Sequence, residues 1–433
     1  MKIRRSWCDD AFVSAVLFLS TGAFVTVFLS GYSQEAYAQG SPMMQVCWSC
    51  IYLAGLVRAH AIRRRLISVL KKNPALIALL ALAALSFCWS LDPGLTLRRS
   101  LALLLCTLFA VDFGVRYPVE KQVYLISWTL GVAIVLSAIA GLFFPQLVPA
   151  APWTTPGDDT AAWHGLFSHK NIFGEILAFG VLCAICRERR GTAGYTAAGI
   201  CLAGLFALIL ASQSGTALLI SALMVLQWPL LCILHWRRRM LGTLGVAGIV
   251  LAVFCLAICV ANSGTVASTM DRSTDLTGRT ELWQYALQSA AKRPVLGYGY
   301  NGFWGVSQDS ARISDLVGWS VPYAHNGLLD IDLQFGLTGL LLFLGLTFAA
   351  LARAVRFARQ ERTAQSLWPL CCLLLVLYNS ATESNLLAAN SFTWIVFVSA
   401  LVSPVVGLRR TETNSARQPM DLPVQGTEGA AYA

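Results

Sequence analysis

The chain has 433 residues, of which 56% are hydrophobic and only 12% charged, with a net charge of +10 and a mean hydropathy of +0.63. Soluble domains carry roughly 25% charged residues, so a water-clothed multidomain enzyme is excluded, as are a disordered and a collagen-like chain. The composition is that of a polytopic membrane protein, in which lipid replaces water around the outer face.

A membrane span needs about 20 mostly apolar residues. In chain order the apolar runs predict twelve spans, at 11–30, 43–58, 74–91, 100–115, 122–144, 171–186, 193–212, 216–235, 241–261, 326–351, 367–383 and 389–408. The expected fold is an all-α polytopic membrane protein. It has a cytoplasmic N-terminus at 1–10, spans 1–9 within 11–261 and a large periplasmic loop at 262–325 containing an amphipathic helix. Spans 10–12 follow within 326–408, then a cytoplasmic tail at 409–433, expected to be disordered. Ala36-Tyr37-Ala38 resembles a signal-peptidase site. The apolar stretch before it is longer than a usual signal core, so an uncleaved first span is expected.

Charge sets the orientation. With the N-terminus inside, 24 of the 32 Lys and Arg residues fall on the cytoplasmic side and 8 outside, which follows the positive-inside bias. This accounts for the net charge as topology and argues against a nucleic-acid partner. The 13 cysteines lie in or beside apolar runs. Cys47–Cys50 and Cys183–Cys186 have CxxC spacing without a second polar ligand pair nearby, so they read as buried helix cysteines.

The outer segments hold His164, His169 and His325. Within the long loop, Arg279 to Lys292 reads as an amphipathic helix with a stripe of Leu282, Trp283, Ala286, Leu287 and Ala290. Gly278 is its expected N-cap and Pro294 its stop. Arg279 in the first turn, beside free N–H groups, suits a diphosphate. The alternative is a surface arginine paired with Asp275. The glycine–aromatic strip Gly297-Tyr298-Gly299-Tyr300-Asn301-Gly302-Phe303-Trp304 is expected to be mobile, with flat faces for sugar rings or the membrane interface. No strand–turn–helix surrounds its glycines, so a dinucleotide site is rejected.

His325-Asn326 precedes a run containing Asp330, Asp332 and Gln334. A histidine at a membrane–water boundary exchanges protons near neutral pH; the alternative is a hydrogen-bonded interfacial histidine. Glu383 is placed to pair with an outer arginine or to orient a substrate, the two readings standing level.

Taken together, these residues resemble the bacterial O-antigen ligase and polysaccharide polymerase superfamily, with a closer likeness to ExoQ-type exopolysaccharide polymerases. His325-Asn326, nine further residues and Gly336-Leu337-Thr338-Gly339 match the ligases' histidine motif. Gly278-Arg279-Thr280-Glu281-Leu282-Trp283, Arg293 to Tyr300 and Phe303-Trp304 look like the family's large outer loop. Trp89 to Pro93, Thr96 to Ser100, His169-Lys170-Asn171 with Gly174, and Thr382-Glu383-Ser384 with Asn390 and Trp394 look like the ExoQ-type group. The likeness covers roughly residues 75–405. The sequence departs from the family at Trp163-His164-Gly165 and at Gly215-Thr216 after Ser214, where cations are often found.

The resemblance implies a metal-independent glycosyltransferase without cofactors, working at the outer leaflet of the bacterial inner membrane. The donor partner would be a polyprenyl-diphosphate-linked glycan. The acceptor would be another lipid-linked repeat or, in a ligase, lipid A core, with membrane lipid and a chain-length regulator as further partners. Arg279 would stabilise the departing diphosphate and His325 would serve as base or acceptor-orienting group. Arg98, Arg99, His169, Lys170, Asn326, Glu383, Tyr298, Tyr300 and Trp304 are the candidate substrate-binding residues. A precursor transporter or flippase is the competing class. It is disfavoured because no repeat relates the two halves.

Overall fold

The computed structural model describes residues 7–23, 42–144, 162–189, 191–233 and 277–415. The expected ninth span at 241–261, the Ala36-Tyr37-Ala38 site, Asp275 and most of the tail at 409–433 lie outside these residues. Among the described residues the chain is all-α. The helices are α1 Trp7–Ser20, α2 Pro42–Ala61, α3 Arg63–Leu70, α4 Pro74–Leu85, α5 Pro93–Arg116, α6 Val119–Phe143, α7 Lys170–Cys186, α8 Gly191–Ser212 and α9 Gly215–Cys232. They continue with α10 Thr277–Ala290, α11 Gln308–Val317, α12 Gly327–Glu361, α13 Trp368–Ser380 and α14 Phe392–Ser415.

Their starts follow from local chemistry. Pro93 opens α5 where a missing N–H costs nothing, and the Asp92 carboxylate caps it by accepting from Leu95 N at 2.9 Å. His169, Ser214, Ser307 and Asn326 cap α7, α9, α11 and α12 through their side chains in the same way. Gly318, with φ 80°, ends α11 in the left-handed conformation.

The expectation of about twelve spans is not met. Among the described residues five helices are long and apolar enough to cross a membrane: α5, α6, α8, α9 and α12. A sixth arises if α3 and the run from Pro74 to Cys88, bent by 95°, count as one. The reason is physical. An apolar run signals removal from water, and burial against protein satisfies it as well as lipid does. α13 extends over 13 residues, 12 of them buried, so its hydrophobicity serves the protein core. α7 has only 17 residues and is also buried along most of its length. At 1.5 Å per residue it is about 26 Å long, short of a hydrocarbon core of roughly 30 Å.

The core is built around α5, α7, α13 and α14. α14 packs on α5 and α13, and α7 packs against α6, α8 and α9. Trp368, Trp394, Phe179 and Phe397 are buried among them. In contrast, α6 turns Trp128, Leu142 and Phe143 outward, and α12 turns Phe348 outward, as a lipid-facing surface requires.

A second, smaller core covers one end of the bundle. Leu282, Ala286, Ala290, Tyr298, Phe303, Ile313, Val321 and Ala324 pack together with Leu329 and Leu333 of α12. Leu282, Ala286 and Ala290 of the expected stripe face this core, while Leu287 is 56% exposed. α10 begins at Thr277, so Gly278 lies inside its first turn and does not cap it.

Candidate active site

Four segments distant in sequence meet at Glu383. The Arg279 guanidinium, on the first turn of α10, donates from Nη1 to the Thr382 carbonyl at 3.0 Å. Its Nη2 stands 3.5 Å from Glu383 Oε1. Asn171 Nδ2, on the first turn of α7, donates to the same oxygen at 2.8 Å. His325 Nδ1 approaches Glu383 Oε2 at 3.5 Å. Ser214, the cap of α9, completes the cluster by donating to Asn171 Oδ1 at 3.1 Å.

These groups are shielded but reachable, with Arg279 14% and Glu383 10% exposed at the side chain. Burial pushes the Glu383 carboxyl up, but the approach of His325 and the charge of Arg279 outweigh it. The group therefore titrates below the ordinary carboxylate range. Arg279 has five N–H donors in a fixed fork. The two contacts to the 382–383 loop orient that fork and leave donors for a ligand.

His325 sits in a left-handed conformation, φ 52°, immediately before the N-cap of α12. Its ring is flanked by Tyr323, with centroids 4.5 Å apart, and by Trp319 at 5.8 Å. Asn326 Oδ1 accepts from Leu328 N and Leu329 N, both at 3.1 Å, so it caps the helix. Beneath the site, α12 is broken at Gly336, which has φ 60° and ψ −161°. The segment 294–299 crosses the helix there. Tyr298 N and Gly299 N donate to the Leu333 and Gln334 carbonyls at 2.8 and 2.9 Å. In return, Leu337 N and Thr338 N donate to the Pro294 and Val295 carbonyls at 2.8 and 3.2 Å. The spacing from His325 to Gly336 is thus that of a capped helical segment ending where a second backbone passes through.

The remaining candidates separate. His169 caps α7 by accepting from Asn171 N at 3.2 Å, and Lys170 opens the helix beside it. Arg98 is exposed on α5, and Arg99 lies beside Tyr300. The glycine–aromatic strip is packed and does not offer its rings as a mobile strip would. Tyr298 and Tyr300 are 4% and 2% exposed. The Tyr300 hydroxyl donates to the Leu387 carbonyl at 2.6 Å, and the Trp304 indole donates to Asp330 Oδ1 at 2.6 Å. Alternation of glycine and aromatic residues reads alike for a mobile strip and for a chain wedged against a helix.

Sequence reasoning passed over Glu175. It lies four residues after Asn171 on the same face of α7 and accepts from Asn385 Nδ2 at 2.7 Å and from the Thr393 hydroxyl. Asn171 and Glu175 therefore exchange hydrogen bonds with the loop that carries Glu383. A polar pair at i, i+4 in an apolar helix was the available signal. Among the described residues no group of three or more His, Cys, Asp or Glu is arranged to hold a metal.

Two comparisons with known proteins bear on this arrangement. Residues 197–344, which include Arg279, His325 and Gly336, match the O-antigen ligase family. The chain is also 26% identical over 304 residues to the exopolysaccharide production protein ExoQ of Rhizobium meliloti (strain 1021). That match spans 66% of this chain and 66% of the relative, just under two thirds of the relative's length.

Proposed function

Because the chain belongs to the O-antigen ligase and polysaccharide polymerase superfamily, we propose that it transfers a polyprenyl-diphosphate-linked oligosaccharide to a sugar hydroxyl at the outer leaflet of the inner membrane. The observation that carries this reading is the meeting of Arg279, His325 and Glu383 from three separate elements. A glycosyl donor already activated by diphosphate needs two things from the protein. One is fixed positive charge where the leaving group develops its own charge; the other is an acceptor for the hydroxyl proton.

Arg279 supplies the first. Its guanidinium, anchored by the Thr382 carbonyl, presents its unused donors to the diphosphate oxygens. His325 supplies the second. Glu383 beside Nδ1 favours the tautomer carrying its proton there, which leaves Nε2 as the acceptor. The acceptor hydroxyl gives its proton to Nε2 as its oxygen bonds to the anomeric carbon. The bond from that carbon to the diphosphate oxygen breaks, and polyprenyl diphosphate leaves. Lys170 at the start of α7 adds positive charge to the donor's surroundings. The acceptor is another lipid-linked repeat in polymerisation, or lipid A core in ligation.

The test uses purified protein in lipid nanodiscs with a polyprenyl-diphosphate-linked oligosaccharide. Longer carrier-linked chains mark polymerisation, and transfer only after lipid A core is added marks ligation. Arg279→Lys should weaken donor binding and transfer together, because an ammonium lacks the bidentate fork. His325→Ala should abolish transfer while donor binding survives. Near-normal transfer by the histidine variant overturns the reading. So does movement of lipid-linked oligosaccharide between leaflets without bond formation.

A further inference from the structure

We propose that Asp330 is a positioning residue that holds His325 in its reactive orientation; this rests on the role given to His325 above. A non-glycine residue with positive φ is strained and persists only where its surroundings over-determine it. At His325 both flanking peptide groups are pinned by side chains. The Ala324 N–H donates to both oxygens of Asp330, at 3.1 and 3.2 Å. The Ala324 carbonyl accepts from Trp283 Nε1 at 2.8 Å. On the other side, Asn326 N donates to Ser384 Oγ at 3.1 Å, and Ser384 lies near enough to Asp330 to favour its charged form.

Asp330 is the common element. It lies in the first turn of α12, five residues after His325, where a carboxylate is favoured by the helix dipole. It is buried, and it gathers donors from two segments, the turn before His325 and the indole of Trp304 at 2.6 Å, with the loop bearing Glu383 close beside it. Two carboxylate oxygens accept all of these. An amide in the same place has one accepting oxygen and one NH2, which would face either the Ala324 N–H or the indole N–H. In either orientation the Ala324 N–H loses one of its two accepting oxygens, which loosens the Tyr323–Ala324 peptide one residue before His325 and lets the ring leave Glu383. Arg279 is untouched by this change, because its anchor is the Thr382 carbonyl.

The experiment compares Asp330→Asn and Ser384→Ala with the parent protein and with His325→Ala, measuring kcat, donor KM and donor affinity separately. Asp330→Asn should lower kcat at least ten-fold with donor KM and donor affinity within two-fold of the parent. Ser384→Ala, which deletes one hydroxyl and is the milder change for folding, should lower kcat several-fold with the same pattern. Unchanged kcat in Ser384→Ala, or a fall in donor affinity equal to the fall in kcat in either variant, overturns the positioning role. If His325→Ala is fully active, the function itself fails. If His325→Ala is inactive while both other variants retain normal turnover, only the role of Asp330 fails.

Discussion

Replacing Gly336 by alanine tests the crossing beneath the site without reference to chemistry. The φ 60°, ψ −161° conformation at this position belongs almost wholly to glycine, and forcing an L-residue into it costs about 1–3 kcal/mol. An added Cβ would also lie 2.5 Å from the Val295 carbonyl carbon and 2.7 Å from the Pro294 oxygen, both backbone atoms that cannot rotate away. Relief requires the 294–299 segment to withdraw, which endangers the four backbone hydrogen bonds of the crossing. At about 1 kcal/mol net for each, conformational strain and the four lost bonds together amount to roughly 5–7 kcal/mol. Gly345 on the same helix is the internal comparison. Its Cβ would meet nothing within 4 Å, and alanine there should be neutral or stabilising by roughly 0.5–1 kcal/mol. Thermal unfolding in detergent should show a fall of roughly 5 °C or more for Gly336→Ala and none for Gly345→Ala. Amide exchange at Tyr298, Gly299, Leu337 and Thr338 should rise in the first variant alone. Equal melting of the two variants, with those amides still protected, would refute the argument that this glycine exists to let a second backbone through.

Glu383→Gln keeps an acceptor for Asn171 but removes the charge facing Arg279 and His325. Breaking a buried pair costs about 3–5 kcal/mol, so a lower melting temperature and at least a ten-fold loss of transfer are expected; full turnover would show that the carboxylate is incidental. The hydrogen bond and charge of Lys292 hold the Asp309 carboxyl below its ordinary range. A depressed acid stabilises the fold above its unfolded pKa, and the contribution fades as pH falls through the folded value. Amide exchange across 292–310 should therefore increase on acidification below about pH 4, and Lys292→Met should flatten that response. Transfer by purified protein should continue without nucleotide and with a chelator present, because arginine charge takes the part of a metal at the leaving group. Loss in chelator, restored by one divalent ion, would contradict this.

What could be read from the chain alone was whatever depends on neighbours in sequence. Sparse charge and long apolar runs determine a helical, membrane-embedded protein, because backbone groups removed from water must pair within their own segment. A helix over 279–292 was legible from its three- and four-residue spacing, and the structure has it at Thr277–Ala290. Arg279, His325 and Glu383 each stood out locally as polar groups beside apolar runs. The number of spans was not legible, because hydropathy measures escape from water and does not distinguish lipid from protein. α13 reads as a span and is buried as core. Nor was the fate of Tyr298, Tyr300 and Trp304 legible, since their packing depends on a break in α12 that a second segment makes possible. Above all, only the tertiary structure brought Arg279 to a carboxylate 104 residues away and set His325 and Asn171 around it. Such a meeting is encoded in no local pattern. It is decided by how the helices pack, and by which polar groups that packing leaves for one another once water is gone.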